Sequence, residues 1–222
     1  GHNKTEGTVI GSEFRRVTGM FSYDAKLNKR VDFGFSANVS NVKQQGILEG
    51  GAYFSNPNMI KYFMSPWNNI YNADGTPNIN GLSGLHNPLY TLSNNEKIND
   101  IIRVINNNKL KYKIAEDFFF NTQLSIDYTS SRYQNYNNPV HGDGDGIGGY
   151  VENSAMSIFN YISQNSLDYR FFVKDDHRFD LKALMEFQKV KTNYLYGYGE
   201  NIALGFTQLG NTSANQSASS YK

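Results

Sequence analysis

The stretch that most resembles a metal site is "HGDGDGIGG", which runs from His141 to Gly149. Asp143 and Asp145 alternate there with glycines, which permit the sharp turns that wrap carboxylate and carbonyl oxygens around calcium. The EF-hand spacing is incomplete, because no third acidic position and no terminal glutamate stand at the required offsets. The sequence therefore gives Asp143 and Asp145 as candidate calcium ligands, with a polar loop tip as the structural alternative.

The best candidate for ligand contact is "SPWNNIYNADG", from Ser65 to Gly75, which contains the only tryptophan of the chain. The indole face of Trp67 can stack on a sugar ring or on a peptide side chain, and Asn68 supplies hydrogen-bond donors and acceptors. We predict that Trp67, Tyr71 and Asn68 contact a ligand or a partner protein. The alternative is that Trp67 and Tyr71 pack against a short helix of their own loop, or against the partner.

No catalytic constellation accompanies these stretches. The sequence contains no GxSxG, P-loop or HExxH motif, and it contains no cysteine. Its four histidines are isolated in sequence, and lysine plus arginine (21) balance aspartate plus glutamate (20), which gives no argument for nucleic acid. We therefore predict that the chain is not an enzyme and that it carries no cofactor, calcium excepted.

Three segments, 17–41, 109–128 and 166–188, alternate apolar and polar residues with few exceptions. A period of two predicts strands with one apolar and one polar face. Each segment is interrupted once, and the parity of the apolar residues is kept across the interruption, which predicts a hairpin of fixed register. The predicted hairpin turns are residues 28–30, 115–117 and 175–177.

The connections between these hairpins, near residues 42–100, 129–162 and 189–222, are long. About six antiparallel up-and-down strands would then place every tight turn at one end and every long loop at the other. Outer-membrane β-barrels are built this way, and their strands cross the bilayer with about 9–11 residues. We therefore predict an all-β fold that forms part of a large transmembrane β-barrel with long extracellular loops. Its apolar face would contact lipid through Phe21, Phe33, Phe35, Leu124, Ile126, Phe171, Leu181 and Phe187.

The connection 42–100 is predicted to be the functional loop, on the extracellular side. It holds Trp67, and Ser55 could cap a short helix over residues 57–64 that begins at Pro57. The last residues, "NTSANQSASSYK", are predicted to be a polar linker. We expect residues 1–222 to be one partial barrel domain.

A soluble β-sandwich shows the same alternation, because its outer faces also meet water. Aromatic cross-strand pairs fit either architecture. A secreted β-sandwich that binds carbohydrate is therefore the alternative to the barrel.

The segment "EGTVIGSEFRRVTGMFSYDAKLNKRVDFGFSANVSNVKQQ" resembles the barrel region of SusC-like TonB-dependent transporters of Bacteroidetes. "GAYFSNPNMIKYFMSPWNNIYNADG" and the "NPL" at 87–89 resemble an extracellular stretch of that family. The resemblance implies an outer-membrane importer of oligosaccharides or peptides that works with a SusD-like surface lipoprotein. It also implies that the N-terminal plug domain of a complete transporter, and the N-terminal region through which TonB acts, are not among these residues. The barrel wall would contact outer-membrane lipid.

Overall fold

The computed structural model describes residues 1–46, 56–80, 82, 84–174 and 177–222. In these residues one eight-stranded sheet is formed, and every strand pairs antiparallel with its sequence neighbours. The strands are β1 (His2–Glu6), β2 (Glu13–Lys26), β3 (Val31–Gln45), β4 (Glu96–Ala115), β5 (Phe118–Asn137), β6 (Tyr150–Val173), β7 (His177–Glu200) and β8 (Ala214–Tyr221). The up-and-down order and the all-β class predicted from the alternation are confirmed.

The predicted hairpins form in the predicted parity. Tyr23 lies opposite Phe35 across the first turn, and Tyr169 lies opposite Leu181 across the third. The second hairpin turns at residues 116–117 and contains a register shift next to the turn. The third turn differs from its prediction at one residue, because His177 already belongs to β7 and pairs with Val173. Residues 175 and 176 of that prediction lie outside the described residues.

The apolar face of the sheet is not covered by a second sheet in the described part of the chain. Phe21, Leu181 and Phe187 are 61%, 58% and 53% exposed. The other five side chains predicted to contact lipid are half-exposed, and none of the eight is buried. The β-sandwich alternative is therefore wrong, because its core would have to lie between two sheets.

The strands are more numerous and longer than predicted. There are eight rather than about six, and β6 and β7 contain 24 residues each. The loops near 42–100, 129–162 and 189–222 accordingly shorten to 46–95, 138–149 and 201–213. Apolar and polar residues must alternate only in the part of a strand that has one face in lipid, and about 9–11 residues are enough to cross the bilayer. A strand can therefore extend well beyond its alternating part. The parts of the strands next to the loops carry Tyr, Asn and Ser on both faces and gave no periodic signal.

The predicted polar linker is also wrong, since residues 214–221 form β8. Backbone pairing with β7 holds this strand, as in the pair of Tyr194 with Tyr221, whose rings stack with centroids 5.1 Å apart. Its small polar side chains are almost all exposed, so no hydrophobic pattern could mark it.

Two short helices lie in the described part of the loop 46–95. The first, α1, is Pro57–Ile60, and its N-cap is Asn56, whose side chain accepts a hydrogen bond from the Asn58 N–H. The predicted cap Ser55 lies outside the described residues. The second, α2 (Pro88–Asn94), was not predicted. Among the described residues no helix has the length and apolar character needed to cross a membrane.

The small hydrophobic core lies near the loops and not in the middle of the sheet. Tyr136, Val151 and Ile202 are 2%, 0% and 3% exposed, and Leu209 packs against them. The loop 201–213 thus folds onto β5 and β6, where the Gly205 N–H donates to the Tyr136 hydroxyl over 3.2 Å. This packing makes the loop end of the sheet a rigid support for the neighbouring loops.

Candidate functional site

An exposed aromatic segment, residues 62–71, lies at the loop end of the sheet, directly after α1. Ile60 is buried and anchors α1, whereas Tyr62 is 75% exposed and Trp67 is 90% exposed. Tyr71 is 52% exposed and bridges to Pro77. The alternative in which Trp67 packs against its own helix is wrong, because an indole in such contact could not be nine-tenths exposed.

The backbone of the aromatic segment is nevertheless well anchored. The Trp67 N–H donates to Ser65 Oγ over 3.4 Å, and the Asn68 N–H donates to the Ser65 carbonyl over 3.0 Å. The Asn78 side chain donates to the Asn69 carbonyl over 2.8 Å. Asn68 itself is half-buried. The three residues predicted to contact a ligand therefore lie on one loop, with the indole presented to solvent by a hydrogen-bonded backbone.

Asn87 connects this segment to α2. Its side-chain amide donates to the carbonyls of Ile70 and Asn78, each over 2.8 Å. Its side-chain oxygen accepts from the Leu89 N–H over 3.0 Å and so caps α2, with Pro88 at the first helical position. Asn87 is completely buried. One side chain therefore both begins the helix and closes the turn behind Trp67.

A second loop meets the first at what we call the loop junction, formed by Asn87, Asn95, Asn138 and His141. The Asn87 backbone N–H donates to His141 Nε2 over 2.7 Å. The Asn138 backbone and side chain both donate to the Asn95 side-chain oxygen, over 2.9 and 2.6 Å. Asn87, Asn138 and His141 are buried. These hydrogen bonds therefore fix the loop 46–95 against the loop 138–149.

The electrostatics of the loop junction favour a neutral His141. Burial lowers the pKa of His141, and the neighbouring His86 lowers it further, against a smaller opposing effect of Asp145. The rings of His86 and Tyr90 lie edge-on to His141, at centroid distances of 5.2 and 5.7 Å. Because Nε2 accepts a hydrogen bond, the neutral tautomer with its proton on Nδ1 is the one that fits.

The glycines of "HGDGDGIGG" have a structural explanation. A Cβ on Gly144 would lie 2.3 Å from the Asn138 carbonyl oxygen, so the loop can close onto β5 only with glycine there. Gly149 has a φ of +78°, in the left-handed region that glycine favours. Tight closure of the loop on its own backbone thus accounts for the pattern without a metal.

Asp143 and Asp145 are both exposed. Asp143 Oδ1 lies 4.0 Å from His86 Nδ1. Among the described residues, no group of three or more His, Cys, Asp or Glu side chains could hold a metal ion. Calcium binding at Asp143 and Asp145 stays a prediction.

The polar face of the sheet carries the charged side chains. Arg103 on β4 donates two hydrogen bonds to the Asp127 carboxylate on β5, over 3.0 and 2.6 Å. Nearer the tight turns the same face forms an open cavity of about 630 Å³. Its charged and amide lining includes Asp24, Asp32, Lys109, Lys111, Gln164 and Lys182. The polar face therefore exposes side chains of both charges to solvent.

The chain is similar in sequence to two receptors of Formosa agariphila. It is 28% identical to TonB-dependent receptor P3 over 197 residues, which cover 84% of this chain and 19% of that protein. It is 24% identical to TonB-dependent receptor P26 over 217 residues, which cover 93% of this chain and 21% of that protein. The chain resembles TonB-dependent receptors over most of its length. No family model matches the sequence.

The fold is similar to part of solved structures of a RagAB peptide transporter. One gives a TM-score of 0.68 at 13% identity, covering 94% of this chain and 24% of that chain. Another, the RagAB peptide importer in the "closed-closed" state, gives a TM-score of 0.66 at 14% identity, covering 98% of this chain and 26% of that chain. The predicted resemblance to TonB-dependent receptors is confirmed by the two Formosa agariphila relatives, and the solved structures confirm the predicted fold, in which the open sheet is a segment of a large β-barrel.

The chain spans about a fifth of the length of the curated relatives it matches. These relatives are receptors, and the solved structures are transporters, not enzymes. Sequence reasoning missed the loop junction. The Asn87-Pro88 pair is a helix-start signal that could have predicted α2, whereas His141 carries no local signal for its partner 54 residues away.

Proposed function

We propose that this chain forms part of the wall and the extracellular loops of a TonB-dependent outer-membrane importer of oligosaccharides or peptides. The proposal is supported chiefly by the similarity of 84% of the chain to a TonB-dependent receptor. The apolar face then contacts outer-membrane lipid, and the polar face lines the lumen. The tight turns face the periplasm and the loop end faces outward, as in other bacterial outer-membrane barrels.

Loop 46–95 is the part of this wall that meets a ligand or a SusD-like surface lipoprotein. An indole that is 90% exposed on an anchored backbone loses little conformational freedom when it binds, and aromatic anchors supply much of the energy of such contacts. Trp67 and Tyr71 are therefore the proposed contact residues, with Asn68 beside them. TonB would act through a plug region that is not among these residues.

The test is Trp67→Ala in the full-length transporter. Retention of the lipoprotein is measured by affinity co-purification, and uptake is measured with a panel of labelled oligosaccharides and peptides. The matched control is Phe206→Ala, since Phe206 is 55% exposed in the neighbouring loop 201–213. We expect the Trp67 variant to lower one or both quantities and the control to leave both unchanged.

The pattern of loss assigns the contact. A fall in lipoprotein retention alone places Trp67 on the docking surface, and a fall in uptake alone places it at the ligand. If neither changes while the barrel folds normally, the role of this loop is wrong. If the full-length protein is absent from the outer-membrane fraction, the transporter proposal itself is wrong.

A further inference from the structure

Two lysines lie on the apolar face of β7, immediately beyond its hydrophobic run. That run is Phe179, Leu181, Ala183, Met185 and Phe187, and Lys189 and Lys191 are the next two residues of the same parity. Lys189 lies opposite Tyr161 and Lys191 lies opposite Phe159 on β6. The apolar run has the length that a strand needs to cross the hydrocarbon core. The two ammonium groups therefore lie just beyond the loop-side end of this apolar run, beside two aromatic side chains.

A third lysine joins this pair. Lys222 directly follows Tyr221, which lies opposite Tyr194 on β7, so Lys222 lies beside Asn193 and close to Lys191, whose ammonium group it repels. All three side chains are exposed. None of these three lysines forms an ion pair with a carboxylate among the described residues.

The surrounding face provides no negative charge. The register places no Asp or Glu on the apolar face of β5, β6 or β7 between the tight turns and Gly199, among the residues described. The opposite face of the same strands does carry carboxylates, among them Asp127, Asp168, Asp180 and Glu186. Positive charge on the outward side is therefore unbalanced, and it is confined to the loop end of the strands.

Clustered lysines at a membrane border attract anionic lipid headgroups, and their long side chains can reach the headgroup layer while their stems stay on apolar surface. We propose that Lys189, Lys191 and Lys222 bind the phosphate groups of a phosphorylated lipid of the outer leaflet, with Tyr161 and Phe159 packing beside its apolar part. Ammonium groups donate charge-assisted hydrogen bonds to phosphate oxygens, which relieves their mutual repulsion. The inference rests on the proposed outer-membrane location, which sets the loop end outward.

The test uses the full-length transporter in nanodiscs that contain lipid A carrying its phosphates, or the same lipid after enzymatic dephosphorylation. Retained lipid is counted by native mass spectrometry. In the Lys189→Gln/Lys191→Gln double variant we expect lipid A retention to fall roughly 10- to 30-fold, as loss of two charges near a surface predicts. Arginine at both positions should preserve retention.

The matched control is Lys182→Gln, because Lys182 lies on the same strand but on the polar face, near Asp168 at 3.6 Å. We expect the Lys182→Gln variant to retain as much lipid A as the wild type does. We expect the wild type to retain dephosphorylated lipid only as weakly as the double variant retains lipid A. Equal retention by double variant and wild type, or equal binding of both lipids, would overturn the site. Heat-modifiable gel migration checks that each barrel is folded. If the lipid site is overturned but the protein still reaches the outer membrane, the transporter proposal is unaffected.

Discussion

The backbone N–H of Asn87 and Nε2 of His141 form a buried hydrogen bond of 2.7 Å that joins two loops at the loop end of the sheet. Asn87 supports the backbone behind Trp67, and His141 belongs to the loop 138–149. The backbone behind the exposed indole is therefore connected, through Asn87, to a histidine in another loop.

The first prediction concerns pH. The folded junction lowers the pKa of His141 below its ordinary value of 6.5, because burial disfavours the charged ring. The unfolded junction then binds more protons, so the contribution of His141 to loop stability is complete above about pH 6.5 and is lost as pH falls below that value. Amide exchange of residues 87–91, corrected for intrinsic rates, should show more frequent opening at pH 5.5 than at pH 7.5.

The groups around His141 define the control for this experiment. His86 and Tyr90 lie edge-on to the imidazole, Asp145 acts on it through its charge, and Asp143 lies 4.0 Å from His86. His141→Gln keeps an acceptor that does not titrate, so we expect its opening to depend less on pH than that of the wild type. An equal pH dependence in both proteins would show that His141 is not the titrating group.

The second prediction separates the two roles of Asn87. Asn87→Ala removes the cap of α2 and two further hydrogen bonds in a fully buried site, and should destabilise the local fold by about 2–4 kcal/mol. Asn56→Ala removes only the cap of α1 and should cost about 1 kcal/mol. Local unfolding free energies from native-state hydrogen exchange measure both. Similar losses would mean that the bonds to Ile70 and Asn78 contribute little.

The third prediction tests which face meets lipid. Arginine at Phe35 or Leu124 should cost about 2–4 kcal/mol near the bilayer midplane. Arginine at Ser36 or Gln123, the adjacent residues on the opposite face, should cost much less because that face is wet. Equilibrium unfolding of the full-length barrel from lipid vesicles measures the difference. If arginine cost more at Ser36 or Gln123 than at Phe35 or Leu124, the assignment of the lumen and lipid faces would have to be reversed.

The fourth prediction concerns the ion pair of Arg103 with Asp127. The side chains are 50% and 30% exposed, so water screens the pair in spite of its two short hydrogen bonds. A double-mutant cycle with Arg103→Gln and Asp127→Asn should give a coupling energy below about 1 kcal/mol. A coupling of several kcal/mol would indicate that the lumen is dry at this depth.

The parts of the fold that the sequence could predict are those where physics requires alternation. Phe33 and Phe35 alternate with polar residues because one face must be apolar, and the hairpin register followed from that parity. β8 could not be predicted, because its small polar side chains are exposed and only its backbone pairing holds it. The strand ends near the loops carry Tyr, Asn and Ser on both faces, so they show no alternation that could predict them.

The candidate site also contains some features that the local sequence could predict and others that it could not. The composition of residues 65–75 made Trp67 a candidate contact residue, but only the structure shows that the indole is exposed rather than packed on α1. His141 was interpreted as an isolated histidine because its partner lies 54 residues away in sequence. Contacts between loops depend on the closure of both loops, and no local pattern records them.

The nearest-neighbour order of the strands also has a consequence for the route of folding. The β2–β3 pair is closed by residues 27–30, whereas the β3–β4 pair must close residues 46–95. The entropy of loop closure grows with the logarithm of loop length, so the β3–β4 pair costs about 2 kcal/mol more to bring together. The hairpins β2–β3, β4–β5 and β6–β7 should therefore form as local units first. The seam between β3 and β4 should close last among these pairs, and the aromatic segment would acquire its anchored form only at that final step.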